Sequence, residues 1–384
     1  MSLEWAWGWE IDADDADYDN WVVIPGIFGL QTDWAASAQP GGGVGGGSRS
    51  LVLGRAADIE TPEVISDTTM SVGFWFQVLA GDEFRANAGS LMAIRDASGQ
   101  ALASIKPSVP GTSSAMELTV YKSGVDYELI GTSSTSLSVG TWYWIAVKFD
   151  ATGAVDATLY IDGVEEVQGQ ASGGGPYTAA KLFFNGVVDG GDACLVDSVV
   201  VYNSLSDAVE TEHFIQGLRP NADAEEGNFN PSTGPNSYGV VNDGSSSDYT
   251  ESTSGPDEIR FGLESRVDID AGWDPPTVVG LHGIAMCRGD TGDGNALIRH
   301  SASTESGDNF SLSTSPVMAS VTANQNPSTS SPWTSDDIDT AVGGYAASSF
   351  ANTQLDGLVV EVVWNELVVA SSMTADFVIR RASI

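Results

Sequence analysis

The sequence predicts an all-β protein made of two β-sandwich domains in series. Three observations carry that expectation. Apolar and polar residues alternate with period two in run after run, and the runs are rich in β-branched and aromatic side chains. Clusters of Gly, Ser and Asp punctuate them at the spacing of about 8–12 residues typical of a sandwich. The pattern then stops across residues 219–247, which are rich in Pro, Asn, Gly and Ser, and restarts beyond them. At 384 residues, 42% hydrophobic and 9% aromatic, the chain holds enough apolar material for two cores.

In chain order, residues 3–10 (LEWAWGWE) form a strand with Trp5, Trp7 and Trp9 on one face. Residues 12–19 are an acidic turn. Five Asp there could hold Ca²⁺, but no Gly or bidentate Glu is placed as a calcium loop requires, so a solvated loop is favoured. Residues 39–50 (QPGGGVGGGSRS) form a loop that lacks the Gly-Lys-Ser/Thr of a phosphate cradle. Strands follow at 50–54, 70–78, 90–96, 101–106 and 116–121. Residues 140–167 (GTWYWIAVKFDATGAVDATLYIDGVEEV) read as a meander around which the domain is organised. Its first run is apolar on both faces, which suits a strand inside a sheet. Asp150–Gly153 and Asp162-Gly163 supply turn chemistry. Residues 181–184 and 192–203 close the domain, and 204–216 are expected as one short helix or a docking linker. The domains are therefore drawn as 1–217, a linker at 218–247, and a smaller β-sandwich-type domain at 248–384. Within the last, strands are expected at 257–269, 277–288, 296–301, 309–313, 317–323, 355–370 and 377–384. A hairpin turn is expected at 290–295, and an N-capped helical turn at 330–341.

The pieces Trp142-Tyr-Trp-Ile-Ala-Val, Thr158-Leu-Tyr-Ile-Asp-Gly163 and Leu195-Val-Asp-Ser-Val-Val-Val-Tyr-Asn203 resemble, in order and spacing, the laminin-G/concanavalin-A-like β-sandwich (jelly-roll) domains. A broader pattern covers most of the chain. It runs from the Trp-rich strand through the Gly-rich loop, GSRSLVLG and TMSVGFWFQV. It continues through Asp248-Tyr249-Thr250, residues 278–294 (VVGLHGIAMCRGDTGDG) and Trp333-Thr334. That pattern resembles a class of tailed-phage virion proteins in which a short strand precedes a concanavalin-A-like domain. The resemblance implies a non-enzymatic structural protein of the particle: capsid decoration, head fibre or spike, or tail component. It implies other virion proteins (major capsid or tail proteins) as partners, a homotrimer or higher array, assembly in the host cytoplasm and exposure on the particle. Trp5, Trp7 and Trp9 are then the expected lattice or subunit contact. The alternative is a carbohydrate-binding adhesin that recognises host-surface glycans through the first domain.

Charge bounds the partners. Fifteen basic residues against 52 acidic ones give −37, a surface that repels nucleic acid and anionic membranes. Solubility at high ionic strength, in a marine or hypersaline setting, is the plain reading. No apolar run is long enough for a membrane helix, and residues 1–19 lack the pattern of a signal peptide. Cys194 and Cys287, each in an apolar run, are expected as buried free thiols.

Catalysis is not expected. No strand carries carboxylates at glycosidase spacing: Glu165 and Glu166 are adjacent and point to opposite faces, and Glu225-Glu226 fall in the linker. His282 reads as a core residue and His300 as a surface one. No cofactor is required. Loop carboxylates Asp189, Asp192, Asp290 and Asp293 could supply oxygens to Ca²⁺, as laminin-G-like domains often do, although ordinary Asp-Gly turns are favoured. Trp21, Trp34, Tyr177 and Trp333 are the loop aromatics available for stacking on a sugar, and no sugar site is assigned from them.

Overall fold

The period-two runs form antiparallel strands almost throughout. The computed structural model describes residues 3–7, 51–54, 58–61, 64–85, 89–123, 126–188, 193–225, 227–241, 248–253, 257–266, 275, 277–290, 292–314, 317–347 and 352–365. The first sandwich comprises β1 (Leu3–Trp7), β2 (Leu51–Gly54), β3 (Asp58–Glu60), β4 (Thr69–Val78), β5 (Met92–Arg95), β6 (Ala101–Pro107), β7 (Ser113–Ser123), β8 (Asp126–Ser138), β9 (Tyr143–Asp150), β10 (Asp156–Ile161), β11 (Val164–Gln170), β12 (Lys181–Asn185) and β13 (Ala193–Tyr202). A 3₁₀ turn, Asp207–Glu210, leads out of it. The second sandwich comprises β14 (His213–Leu218), β15 (Pro220–Glu225), β16 (Asn230–Pro231), β17 (Thr250–Ser252), β18 (Asp257–Leu263), β19 (Thr277–Gly289), β20 (Asp293–His300), β21 (Ser303–Ser306), β22 (Phe310–Ser311), β23 (Val317–Ala323), β24 (Ala341–Ala347) and β25 (Thr353–Asn365). The one-turn helices α1 (Tyr238–Val241) and α2 (Ser335–Ile338) lie between its strands.

Sheet I runs β1-β13-β4-β9-β10-β11, with β2 also on β13; sheet II runs β3-β12-β5-β6-β7-β8. Sheet III runs β16-β17-β25-β19-β23, with β14 also on β25; sheet IV runs β15-β18-β24-β20-β21, with β22 on β20. Sheets I and II enclose the first core, where Phe74 meets Phe184 edge-on at 5.2 Å among buried Phe76, Leu118, Phe149 and Leu159. Sheets III and IV enclose the second, with Phe261, Ile298, Tyr345 and Val360. The β10–β11 turn is Asp162-Gly163, with φ of 49° and 76°, the positive pair a tight hairpin needs. The expected capped turn before residue 341 is α2, whose Thr334 and Asp337 form a reciprocal capping box.

The double apolar face of β9 has a specific cause. Ile145, Val147 and Phe149 point into the first core. Trp144 and Ala146, on the other face, belong to the same apolar cluster as the second sandwich, together with Trp75, Val200 and Tyr202. The outer face of sheet I is therefore a domain junction. Trp144 lies over Gly73, where an added Cβ would fall 2.3 Å from its ring, so the β4 glycine makes the room. Trp144 meets Trp75 at 5.6 Å and stacks on His213 at 5.6 Å; Phe214 lies 5.6 Å from Trp75 and stacks on Trp364 at 4.7 Å. Both indole N–H groups donate at 2.8 Å to backbone carbonyls, Trp75 to His213 and Trp144 to Val209.

Two sequence expectations are corrected here. Residues 204–216, expected as a short helix or docking linker, give only the 3₁₀ turn before entering β14, which pairs with β25 from His213↔Asn365 to Leu218↔Val360. Residues 218–247, drawn as a linker, supply β15, β16 and α1 to the second sandwich, with β15 on β18 and β16 on β17. Pro and Asn mark bulges and turns there, not a tether: β15 shifts register on β18 at two places. The short strands β3, β17 and β21 and the long strand β8 were not anticipated. β8 is nearly all polar (DYELIGTSSTSLS) because, as the edge of sheet II, it buries little.

Candidate functional site

β1 pairs with β13 through Leu3↔Tyr202, Trp5↔Val201, Ala6↔Val200 and Trp7↔Val199. On its other side the second sandwich holds it. Leu3 N–H donates to Asn324 Oδ1 at 2.7 Å, Asn324 Nδ2 donates to the Leu3 carbonyl at 3.0 Å, and Thr322 Oγ1 donates to the Glu4 carbonyl at 2.8 Å. The backbone of the expected contact strand is thus engaged on both sides at Leu3 and Glu4, and strand addition by a partner is blocked there. Trp9 lies outside the described residues.

Of the expected metal carboxylates, Asp290 and Asp293 lie among the described residues. Asp189 and Asp192 lie outside the described residues. Asp290 is exposed at the β19–β20 turn, and Asp293, at the start of β20, accepts from Ser311 Oγ at 3.2 Å. Among the described residues no three His, Cys, Asp or Glu side chains converge as a metal site. Cys194 and Cys287 are free and buried in separate sandwiches; burial pushes the Cys194 thiol up to about 12.

Among the described residues, Ser, His and Asp side chains meet at His300. Its Nδ1 is 2.7 Å from Ser328 Oγ, and its Nε2 is 3.0 Å from Thr340 Oγ1 and 3.6 Å from Asp337 Oδ1. Ser328 Oγ, however, donates its proton to Asn326 Oδ1 at 2.8 Å, so His300 Nδ1–H is the donor to Ser328 and cannot activate it as a base. The group is a turn lock. Glu166 is also structural: it accepts from Ser134 N and Oγ at 2.7 Å, from Thr135 N at 3.1 Å and from Thr135 Oγ1 at 2.5 Å. Burial opposes ionisation, but these donors outweigh it and hold the carboxyl below its usual range. His282, in the second sandwich, is fully buried beside Thr322, and burial lowers its pKa to about 3.

The sequence aromatics resolve differently. Trp21 and Trp34 lie outside the described residues. Trp333 is buried, with its indole N–H on the Ala323 carbonyl at 2.8 Å. Tyr177 is half-buried at the rim of the first core, and it brings two tyrosines the sequence did not single out. Tyr121 on β7 and Tyr127 on β8 are direct cross-strand partners with ring centroids 5.7 Å apart. Tyr177 packs edge-on against Tyr121 at 5.1 Å. Tyr127 is 48% exposed, while Tyr121 is 8% exposed and forms the floor. Gln100 Nε2 donates to the Tyr127 hydroxyl at 2.5 Å.

Carboxylates border this ledge. The Tyr121 hydroxyl is held above its usual range first by burial, then by the neighbouring phenols and by Asp96 and Asp126. Glu128 accepts from Ser172 N at 2.9 Å, and its carboxyl is lowered by the Ser172 bonds and then by Lys122. Tyr177 is positioned by Gly174 and Gly175, with φ of 101° and 80°. An added Cβ at Gly174 would lie 1.8 Å from the Lys122 carbonyl oxygen, and one at Gly175 would lie 1.6 Å from that of Gly153.

Comparison with known proteins agrees with this architecture for the first domain. The model of the concanavalin A-like lectin/glucanases superfamily (laminin-G type) matches residues 53–209. No curated protein sequence matches. Similar solved structures include domain 4 of AbnA, an extracellular GH43 arabinanase from Geobacillus stearothermophilus, in complex with arabinotriose (17% identity, 54% of this chain and 96% of that one, TM-score 0.33). They include the botulinum neurotoxin serotype D ligand-binding domain with N-acetylneuraminic acid (10%, 50% and 50%, 0.30). They also include an endo-β-1,4-glucuronan lyase from the fungus Trichoderma reesei (12%, 49% and 95%, 0.34). Within an all-β chain, residues 53–209 are a concanavalin A-like domain of the laminin-G type.

Proposed function

We propose that the chain is a non-enzymatic structural protein of a tailed-virus particle: a decoration, head fibre or spike, or tail component. The observation that supports it is the clasp on β1. The short N-terminal strand, the first sandwich and the second sandwich follow one another in the virion-protein pattern. Here Asn324 and Thr322 of the second sandwich hold that strand against the first. A single firm body suits a component that repeats on a lattice and bears load there. A lattice contact through Trp5, Trp7 and Trp9 would use side chains, since the strand's backbone is engaged at Leu3 and Glu4. Quantitative mass spectrometry of salt-washed particles from the source tests the reading. Hundreds of copies per particle support lattice decoration and a few dozen support a tail or spike; absence from particles refutes it.

A second reading, a glycan-binding adhesin, is favoured by a specific observation. The first sandwich presents an exposed, fixed tyrosine beside amide and carboxylate groups. The two readings are compatible if the protein stands on the particle's surface.

A further inference from the structure

We infer that the ledge formed by Tyr127, Tyr121 and Tyr177 is a binding site for an uncharged pyranose, with Gln100, Asp96 and Asp126 as its polar rim. The inference rests on the glycan-binding reading and is independent of the particle reading.

An exposed tyrosine is ordinarily a mobile side chain with no claim on a ligand. Tyr127 is held three ways: its hydroxyl accepts from Gln100 at 2.5 Å, its ring leans on Tyr121, and Tyr121 is backed by Tyr177. It nevertheless stays 48% exposed. A large aromatic surface held rigid in water loses little entropy when a ligand covers it, which is what binding surfaces exploit in tyrosine. Gln100 is fixed in turn: its N–H donates to Asp96 Oδ1 at 2.9 Å, and its Nε2 also donates to the Ala101 carbonyl at 3.1 Å. The loop 96–100, strands β7 and β8, and the glycine-built loop carrying Tyr177 thus meet at one place, the last running from sheet I to sheet II.

The chemistry selects the ligand. A pyranose offers an apolar C–H face for the ring and hydroxyls around its equator for carboxylate and amide groups. Carboxylates accept hydrogen bonds from hydroxyls, and they oppose any anion. Asp96 and Asp126 act on the Tyr121 hydroxyl, and Glu128 lies two residues beyond Asp126. The charge of the nearby cation, Lys122, acts on Glu128. On a chain of net charge −37, sialic, uronic and sulfated sugars are therefore disfavoured and neutral hexoses or N-acetylhexosamines accepted.

The test is a glycan array probed with the full chain, followed by titration of the best glycan against the wild type, Tyr127→Ala and Tyr127→Phe. Melting curves serve as the folding control. Binding confined to neutral glycans, weakened about tenfold or more by Tyr127→Ala and much less by Tyr127→Phe, is the expected result. Neutral-glycan binding that Tyr127→Ala leaves intact overturns this site while preserving the glycan-binding reading. Preference for anionic glycans overturns the assigned ligand class. No binding to any glycan overturns both the site and the glycan-binding reading, while the particle reading stands on its own mass-spectrometric test.

Discussion

Replacing Asn324 by Ala should loosen the N-terminal strand. Asn324 makes two hydrogen bonds to Leu3, accepting from its N–H at 2.7 Å and donating to its carbonyl at 3.0 Å. Each is worth about 1 kcal/mol net, and leaving partly buried backbone groups unpaired adds to the loss, so the variant should lose about 2–3 kcal/mol of local stability. At about 1.4 kcal/mol per factor of ten, amide exchange of residues 3–7 should speed up by about thirtyfold or more. Asn324→Asp gives a sharper reading. An ionised carboxylate still accepts from Leu3 N–H but faces the Leu3 carbonyl with no proton to give, so the folded state raises its pKa. Stability from the protonated acid is then present at low pH and lost as pH rises through that raised value, above the usual carboxyl range near 4. Relative to Asn324→Ala, the Asp variant should therefore protect β1 at pH 4 and lose that advantage by pH 7. Exchange of residues 3–7 within about twofold of wild type in Asn324→Ala would refute the clasp. A pH-independent difference between the two variants would refute the donor assignment.

Two other outcomes follow from the electrostatics. His213 is buried at the junction, with Nδ1 2.7 Å from the Thr211 carbonyl and Nε2 2.7 Å from the Tyr202 hydroxyl; burial lowers its pKa to about 4, against the Thr211 bond. Its stabilising contribution is full above the unfolded value near 6.5 and falls by about 1.4 kcal/mol per pH unit between there and about 4. Urea unfolding at pH 7 and pH 5 should show that loss together with the one from buried His282, and His213→Gln should remove only its own share; an unchanged slope in the variant would contradict the assignment. With a net charge of −37, raising salt from 0.1 to 1 M shortens the screening length from about 10 to about 3 Å. The melting temperature should rise, and a fall would show that ion pairs such as Arg95–Glu60, at 2.6 Å, outweigh the general repulsion.

The fold class and most strands could be read from residue order, because alternation and turn residues act locally. The runs 70–78, 101–106, 181–184 and 317–323 each found their strand within a few residues. Burial on both sides of the middle of the 140–167 meander could be read there too, since Trp144 and Val147 lie on opposite faces of one apolar run. What covers the second face is a matter of long-range packing. The second sandwich covers it, and core strips and junction strips look alike in one dimension. The supposed linker fell to the same limit: Pro, Asn and Gly signal bends, and only the pairing of β14 with β25 and β15 with β18 shows that the bends lie within a sandwich. The candidate site was legible only at Tyr177. Tyr121 sat in a run already read as strand, and Tyr127 in a polar edge strand without an apolar signal. Their meeting depends on cross-strand register and on a glycine loop arriving from the other sheet, which are contacts between segments distant in sequence.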